Sequence, residues 1–225
     1  MNEPGIAEDL PGALKRHTWP LHRTAERSGL VRELLNRRLR AAPYHRFLRN
    51  LLPVYEALEE GLASAGSVPA LAALQVPPLG RSAALVADLD TLAGPGWAQR
   101  LPVLEEGRVY AERVRETAVR CPERLLAHAY VRYLGDLNGG QILARLVAEQ
   151  LELQGGAGVA FYDFGAVGTP RDLVERLREG LRQAGRHLLD PAGILQEAEE
   201  AFRLNIRLSE AVLSSGPEPQ ASSVP

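Results

Sequence analysis

Apolar residues recur along this chain at spacings of three and four, separated mostly by Arg, Glu and Ala. That is the period of an amphipathic helix. Alternating runs of β-branched and aromatic residues, which would mark half-buried strands, do not occur. The pattern predicts an all-α chain. A first helix is expected from about Glu8 to Ser28, stopped by Gly29, then a short second helix to about Leu39. Pro43 opens a third, on which Phe47, Leu51, Val54, Leu58 and Leu62 form one apolar stripe. Three prolines between Gly66 and Gly80 predict a loop with at most one turn. Ser82 is expected to cap a helix reaching Leu92, and Gly94-Pro95-Gly96 to break the chain. Further helices are predicted over Val103 to Arg120 and Pro122 to Leu153, with a loop from Gly155 to Gly168. Thr169-Pro170 supplies a cap and a first-turn proline for the next helix, and the last runs from Pro191 to about Leu213. The organisation expected is a flexible N-terminus over 1–8, one domain over 9–213 and a Ser/Pro/Gly-rich disordered tail over 214–225.

With 225 residues, 45% of them apolar, the chain is long enough for one ordinary core. A net charge of -2 argues against global attraction to nucleic acid or to a membrane surface. The single cysteine, Cys121, rules out an internal disulfide, a Cys-ligated iron–sulfur cluster and a CxxCH haem attachment. It fits a reducing, cytoplasmic compartment. No run approaches about 18 uninterrupted apolar residues, and Met1 to Leu14 lacks the apolar stretch of a signal peptide, so no membrane anchor is expected. Charge is unevenly spread. From Lys15, the only lysine, to Arg49 there are ten basic and two acidic residues, a local balance of +8. This is either a docking face for an acidic partner or an ordinary solvated helix face.

Three glycines interrupt an otherwise strongly helical stretch, His128-Ala-Tyr-Val-Arg-Tyr-Leu-Gly-Asp-Leu-Asn-Gly-Gly-Gln141. Each costs about 0.5–1 kcal/mol relative to Ala inside a helix, so bare backbone must be required there. Gly135 and Gly139 are i and i+4 and share a face. Either two helices cross closely at this strip, or a flat ligand lies on it. In the first predicted helix His22 is followed four residues later by Glu26, placing a carboxylate beside the imidazole. A helical His with such a neighbour is either an ordinary surface group or a metal ligand whose other nitrogen the carboxylate orients.

The glycine segment closely resembles the characteristic sequence of the haem oxygenase family. Leu14-Lys-Arg-His-Thr-Trp-Pro-Leu-His-Arg-Thr-Ala-Glu26 is similar to that family's first helix, Leu177-Arg178 to a later motif, and Ala201-Phe-Arg-Leu-Asn205 to its last. The resemblance covers roughly Gly12 to Leu213. It implies a single-domain helical bundle that sandwiches haem between a proximal helix and a distal helix kinked at its glycines. It implies oxygen- and electron-dependent cleavage of haem to biliverdin, ferrous iron and CO, serving bilin supply or iron release, with the α meso position as the default site of attack. His22 is then the axial iron ligand, with Glu26 beside it. Lys15, Tyr130 and Arg178 meet the propionates. Gly135, Gly139 and Gly140 form the distal face, and Phe202 and Asn205 line the pocket. Asp136 holds a water network that delivers protons, anchored by Arg132, and a hydrophobic replacement of Asp136 would divert the reaction to peroxidase-like chemistry.

Departures from the family pattern accompany these implications. Val131 and Asn138 replace Thr and Ser of many members. Val174 stands where a propionate-binding lysine is common, which weakens the α default and leaves Arg171 as a candidate substitute. Arg178 and Arg182, with Arg171 nearby, are expected near one helix face. Pro20, two residues before His22, is expected to disturb the helix near Arg16 and with it the placement of Lys15. His17, His45, His128 and His187 are expected to be surface or packing residues. Nothing in the sequence resembles a flavin or NAD(P) site, so electrons must come from an external donor such as ferredoxin, flavodoxin or an NAD(P)H-dependent reductase. The lack of a C-terminal apolar segment points to the bacterial form. The main alternative is a non-catalytic haem carrier of the same fold. A helical enzyme without haem, of the thiaminase-like kind, and a nucleic-acid binder are weaker ones.

Overall fold

The computed structural model describes residues 5–74 and 79–214, and among these residues it contains helices and turns but no strand. The expected tail at 215–225 and residues 1–4 lie outside the described residues. Helix α1 spans Leu10–Glu26, α2 Gly29–Leu35 and α3 Ala41–Ser64. The short α4, Pro69–Ala72, is the single turn expected in the proline-bearing loop. Helix α5 covers Ser82–Ala93, α6 Trp97–Arg100 and α7 Glu105–Arg120. A 3-10 turn at Pro122–Arg124 leads into α8, Leu125–Ala129, then a π-helical turn at Tyr130–Leu134, then α9, Gly135–Gln150. A second 3-10 turn, Ala160–Tyr162, lies in the loop before α10, Pro170–Gly185, and α11, Pro191–Ser214. Among the described residues no helix is long and apolar enough to cross a membrane.

Helix α3 is central. Tyr44, Leu48, Leu51, Val54, Tyr55 and Leu58 are fully buried along it, and it packs against α7 and α5. Helix α11 returns across α1, α2, α7 and α8. Burial of this apolar surface supplies most of the drive to fold.

Three local expectations are corrected. Helix α1 runs through Pro20 without ending. Arg16 and Pro20 are both exposed, and the Thr24 hydroxyl donates to the Pro20 carbonyl at 3.0 Å. Ser82 does not cap α5. Glu59 reaches over from α3 and accepts the backbone N–H groups of Arg81 at 2.6 Å and Ser82 at 3.0 Å. The chain between Pro122 and Leu153 is also not one helix, because the π turn divides it.

Helices α7, α8 and α11 are tied by a buried ion network. Glu197 accepts from Arg113 through both guanidinium nitrogens, sits 3.0 Å from His128 Nε2 and receives the Thr117 hydroxyl at 3.4 Å. Burial alone would raise the Glu197 pKa, but the His128 and Arg113 hydrogen bonds hold it down to about 2. A carboxyl depressed in the folded state adds stability above its unfolded pKa and loses it as pH falls through the folded one. Glu197 therefore contributes on the order of 3 kcal/mol at neutral pH, lost between about pH 4.5 and 2. Chemical denaturation over a pH series should show Glu197→Gln less stable at pH 7 by about that amount, with a shallower acid limb than the parent.

Candidate functional site

A cavity of about 490 Å³ opens between one face of α1 and the distal segment formed by the π turn and α9, closed behind by α2, α3 and the Ala160–Tyr162 turn. The α1 face contributes Pro11, Lys15, Thr18, Trp19, His22 and Glu26, which recur three and four apart as one stripe of a helix must. The continuity of α1 through Pro20 keeps Lys15 on that stripe. The distal side contributes Tyr130, Arg132, Gly135, Asp136 and Gly139, and α10 and α11 add Arg178, Phe202 and Asn205. Every candidate residue named from the sequence lines this cavity except Gly140 and the candidate substitute Arg171.

The glycines divide into two kinds. A Cβ added at Gly135 or Gly139 would meet nothing within 4 Å, whereas at Gly140 it would approach Tyr162 Cδ1 at 3.2 Å. Gly140 is therefore a packing glycine, and its expected place on the ligand face is corrected. Gly135 and Gly139 are not at a helix crossing either, since no neighbouring element stands opposite them. They leave bare backbone facing open space. The irregular turn is not at the glycines but just before them, at Tyr130–Leu134. Single π turns inside helices are frequent at functional sites.

His22 faces the cavity with its side chain 45% exposed. Its Nδ1 is shielded from solvent and makes no hydrogen bond, with Glu26 Oε1 3.7 Å away. Rings bound it instead: the Trp19 indole lies nearly parallel at 5.6 Å, and the Phe202 ring meets it edge-on at 6.1 Å. Among the described residues no cluster of three or more His, Cys, Asp or Glu could hold a metal ion, so any metal here must bring most of its own ligands.

Opposite His22 the polar groups are buried and interlocked. Arg132 Nε donates to the Tyr55 hydroxyl at 3.0 Å, Nη1 to Asn205 Oδ1 at 2.6 Å and Nη2 to Asp136 Oδ1 at 3.4 Å. The Tyr55 hydroxyl donates to Asp136 Oδ2. Burial raises the Asp136 pKa, opposed by Arg132 and by the Tyr55 hydrogen bond. Burial also raises Tyr55 well above its ordinary value and Tyr110, behind Arg132, to about 12. A carboxyl whose pKa is raised by burial and which lines a cavity is suited to proton transfer.

Lys15 and Arg178 give the cavity two cations. Tyr130 lies beside them, its hydroxyl bonded to Thr18 and within the field of Arg178, with burial raising its pKa. The three arginines expected on α10 do not act together. Arg182 pairs with Glu179 at 2.7 Å, and neither it nor Arg171 lines the cavity. Val174 is packed in the core. The other histidines do not line the cavity; His17 pairs with Glu199 at 3.1 Å and His128 with Glu197. Sequence reasoning did not pick out Tyr55, Thr18, Phe161 or Tyr162 as site residues. Tyr55 lies within an apolar helix, and only a polar atom on a stripe otherwise made of Leu and Val could have marked it.

The "Heme oxygenase" family model matches residues 8–211. The chain belongs to the haem oxygenase family, a family of enzymes. It is 33% identical to "Heme oxygenase 1" of Synechocystis sp. over 203 residues, covering 90% of this chain and 84% of that one. It is also 33% identical to human "Heme oxygenase 1", covering 91% and 72%. Among solved structures, heme oxygenase-1 from Synechocystis in complex with heme superposes with a TM-score of 0.83 at 33% identity, covering 92% and 93%. The heme oxygenase of Leptospira interrogans gives 0.85 at 32%, covering 90% and 99%.

The two kinds of glycine make opposite predictions. Gly139→Ala should stabilise the fold by about 0.5–1 kcal/mol through helix propensity while narrowing the cavity and weakening its ligand. Gly140→Ala should not stabilise, because its methyl presses on Tyr162. Thermal melts and ligand titration of the two variants check both halves.

Proposed function

We propose that this protein cleaves haem to biliverdin, ferrous iron and CO, using dioxygen and externally supplied electrons. The observation that carries this is a cavity with an imidazole lacking a hydrogen bond at Nδ1 on one wall and, on the other, bare glycine backbone next to a buried carboxyl. The residues present fit haem as substrate. His22 would ligate the iron through Nε2; its Nδ1 lies 3.7 Å from Glu26 Oε1, too far for a hydrogen bond. Gly135 and Gly139 let the flat ring approach the helix backbone. Lys15 and Arg178 balance the two propionates, with the Tyr130 and Thr18 hydroxyls beside them.

Bound haem supplies the iron at which dioxygen is activated. The protein supplies the proton and the direction. Asp136 holds a water near the iron on the side opposite His22 and passes a proton through it. Arg132, Tyr55 and Asn205 fix the carboxylate so that this water has one position. With haem bound, the bare backbone at Gly135 and Gly139 would leave space over the ring on the side away from His22. Lys15 and Arg178 set which ring edge is attacked, with attack at the α carbon expected.

Electrons come from ferredoxin, flavodoxin or an NAD(P)H-dependent reductase docking on the basic N-terminal third. That face is smaller than the sequence count suggests. Arg46 is buried and donates to the Val212 carbonyl at 3.1 Å, and Arg49 donates to Leu101 and lies over Trp97. Exposed Arg16, Arg23, Arg27, Arg32, Arg37, Arg38 and Arg40 remain. Turnover with ferredoxin should slow steeply with added salt, since the screening length is about 8 Å near 0.15 M. Insensitivity to salt would remove the docking reading.

The decisive experiment is one equivalent of haemin added to the protein, followed under air with ascorbate or a ferredoxin–reductase system. Loss of the Soret band and growth of a broad red biliverdin band are expected. His22→Ala should abolish turnover. Asp136→Ala should still bind haemin but form biliverdin at least about 10-fold more slowly. A complex that never bleaches would mean a haem carrier, and no Soret shift would exclude haem as substrate.

A further inference from the structure

Trp19 lines the cavity one turn before His22, and nothing in the proposed chemistry requires it. It is half exposed, at 50%, next to a buried Thr18 and an exposed Pro20. Its plane lies 9° from that of the His22 imidazole, with centroids 5.6 Å apart. Residues i and i+3 of a helix are neighbours by construction, but near-parallel stacking is one arrangement among several.

The state of the imidazole makes this arrangement informative. A ligating histidine normally has its ring plane fixed by a hydrogen bond from the second nitrogen. Here that nitrogen is shielded and has no such bond, and Glu26 is 3.7 Å away with its own side chain 54% exposed. Rotation about the last side-chain bond is broad for an imidazole unless something restrains it. The restraints present are the flat Trp19 face on one side and the Phe202 edge on another, 6.1 Å away at 67°.

We infer that Trp19 is a positioning residue for His22: its indole, together with Phe202, sets the imidazole plane, a task that a carboxylate commonly performs. This rests on His22 being the haem ligand. The plane of an axial imidazole selects which iron d orbitals it overlaps, so Trp19 acts on the electronic structure of the iron without touching it.

The test compares haemin complexes of the parent, Trp19→Phe, Trp19→Ala and Glu26→Gln. Trp19→Ala should bind haemin roughly 5–10-fold more weakly, and Trp19→Phe should stay within about twofold of the parent. The low-spin EPR spectrum of the ferric azide complex, which follows the imidazole plane, should split or broaden in Trp19→Ala and be restored in Trp19→Phe. Glu26→Gln should leave it nearly unchanged. With Trp97→Phe as background, Trp19 is the only tryptophan, and haemin should quench its fluorescence almost completely. Thermal melts would show that the variants are folded, as expected for a half-exposed side chain. A Trp19→Ala complex with the parent's affinity and EPR spectrum would overturn the inference, as would a spectrum governed by Glu26→Gln instead. Those outcomes are distinct from the absence of a Soret shift in the parent protein, which would overturn the haem reading beneath it.

Discussion

A guanidinium does not shed its charge when buried, so every structure that buries one must be arranged around it. Arg132 is 6% exposed. Its donors reach Tyr55 on α3, Asn205 on α11 and Asp136 on α9, so three helices are held in register by one side chain. Asp136 and Tyr55 in turn hold the arginine charged, outweighing the burial that opposes it. Removing a partner would leave a buried charge exposed to no compensation, which is worth several kcal/mol in comparable sites. The network therefore fixes the position of the Asp136 carboxyl more firmly than apolar packing alone could.

The same helix segment spends stability elsewhere. Gly135 and Gly139 forgo helix propensity and pack against nothing. An evolved core closes voids of this size, because an unfilled cavity loses both transfer and dispersion energy. The void persists because the walls on either side are both anchored to α11: the distal wall through Arg132 and Asn205, and α1 by direct packing. Glu197 on α11 binds His128 at the start of the distal segment, so the helix that carries Phe202 and Asn205 is tied to the wall it faces.

Much of this was legible in the sequence, and for identifiable reasons. Helices α3, α7, α10 and α11 follow from apolar spacing and from caps such as Thr169, whose hydroxyl accepts the Asp172 N–H at 3.2 Å. The glycines stood out because their cost is local and additive. What could not be read was anything depending on which side of a helix meets which neighbour. Gly139 and Gly140 are adjacent in sequence, yet only the position of Tyr162 separates a void-facing glycine from a packing one. Tyr55 looked like core because its ring is core, and only the hydroxyl is functional. Pro20 misled because α1 runs on through it, with Arg16 and Pro20 both exposed. The charge count from Lys15 to Arg49 misled in the opposite sense, since it could not see that Arg46 points inward.

The two walls of the cavity differ in kind. On the α1 side Lys15, Trp19, His22 and Glu26 all remain at least partly exposed, while Arg132, Asp136 and Tyr55 on the other are buried. Burial is what raises the Asp136 carboxyl, and exposure to bulk solvent would return it to its ordinary range. A group that meets an incoming flat ligand has to be reachable and must tolerate some motion. Dividing these demands between helices lets one wall be rigid and dry and the other open. It also fits an imidazole bounded by the Trp19 face and the Phe202 edge, contacts that remain effective in a wet, half-open setting. A lone exposed carboxylate would be screened and disordered there.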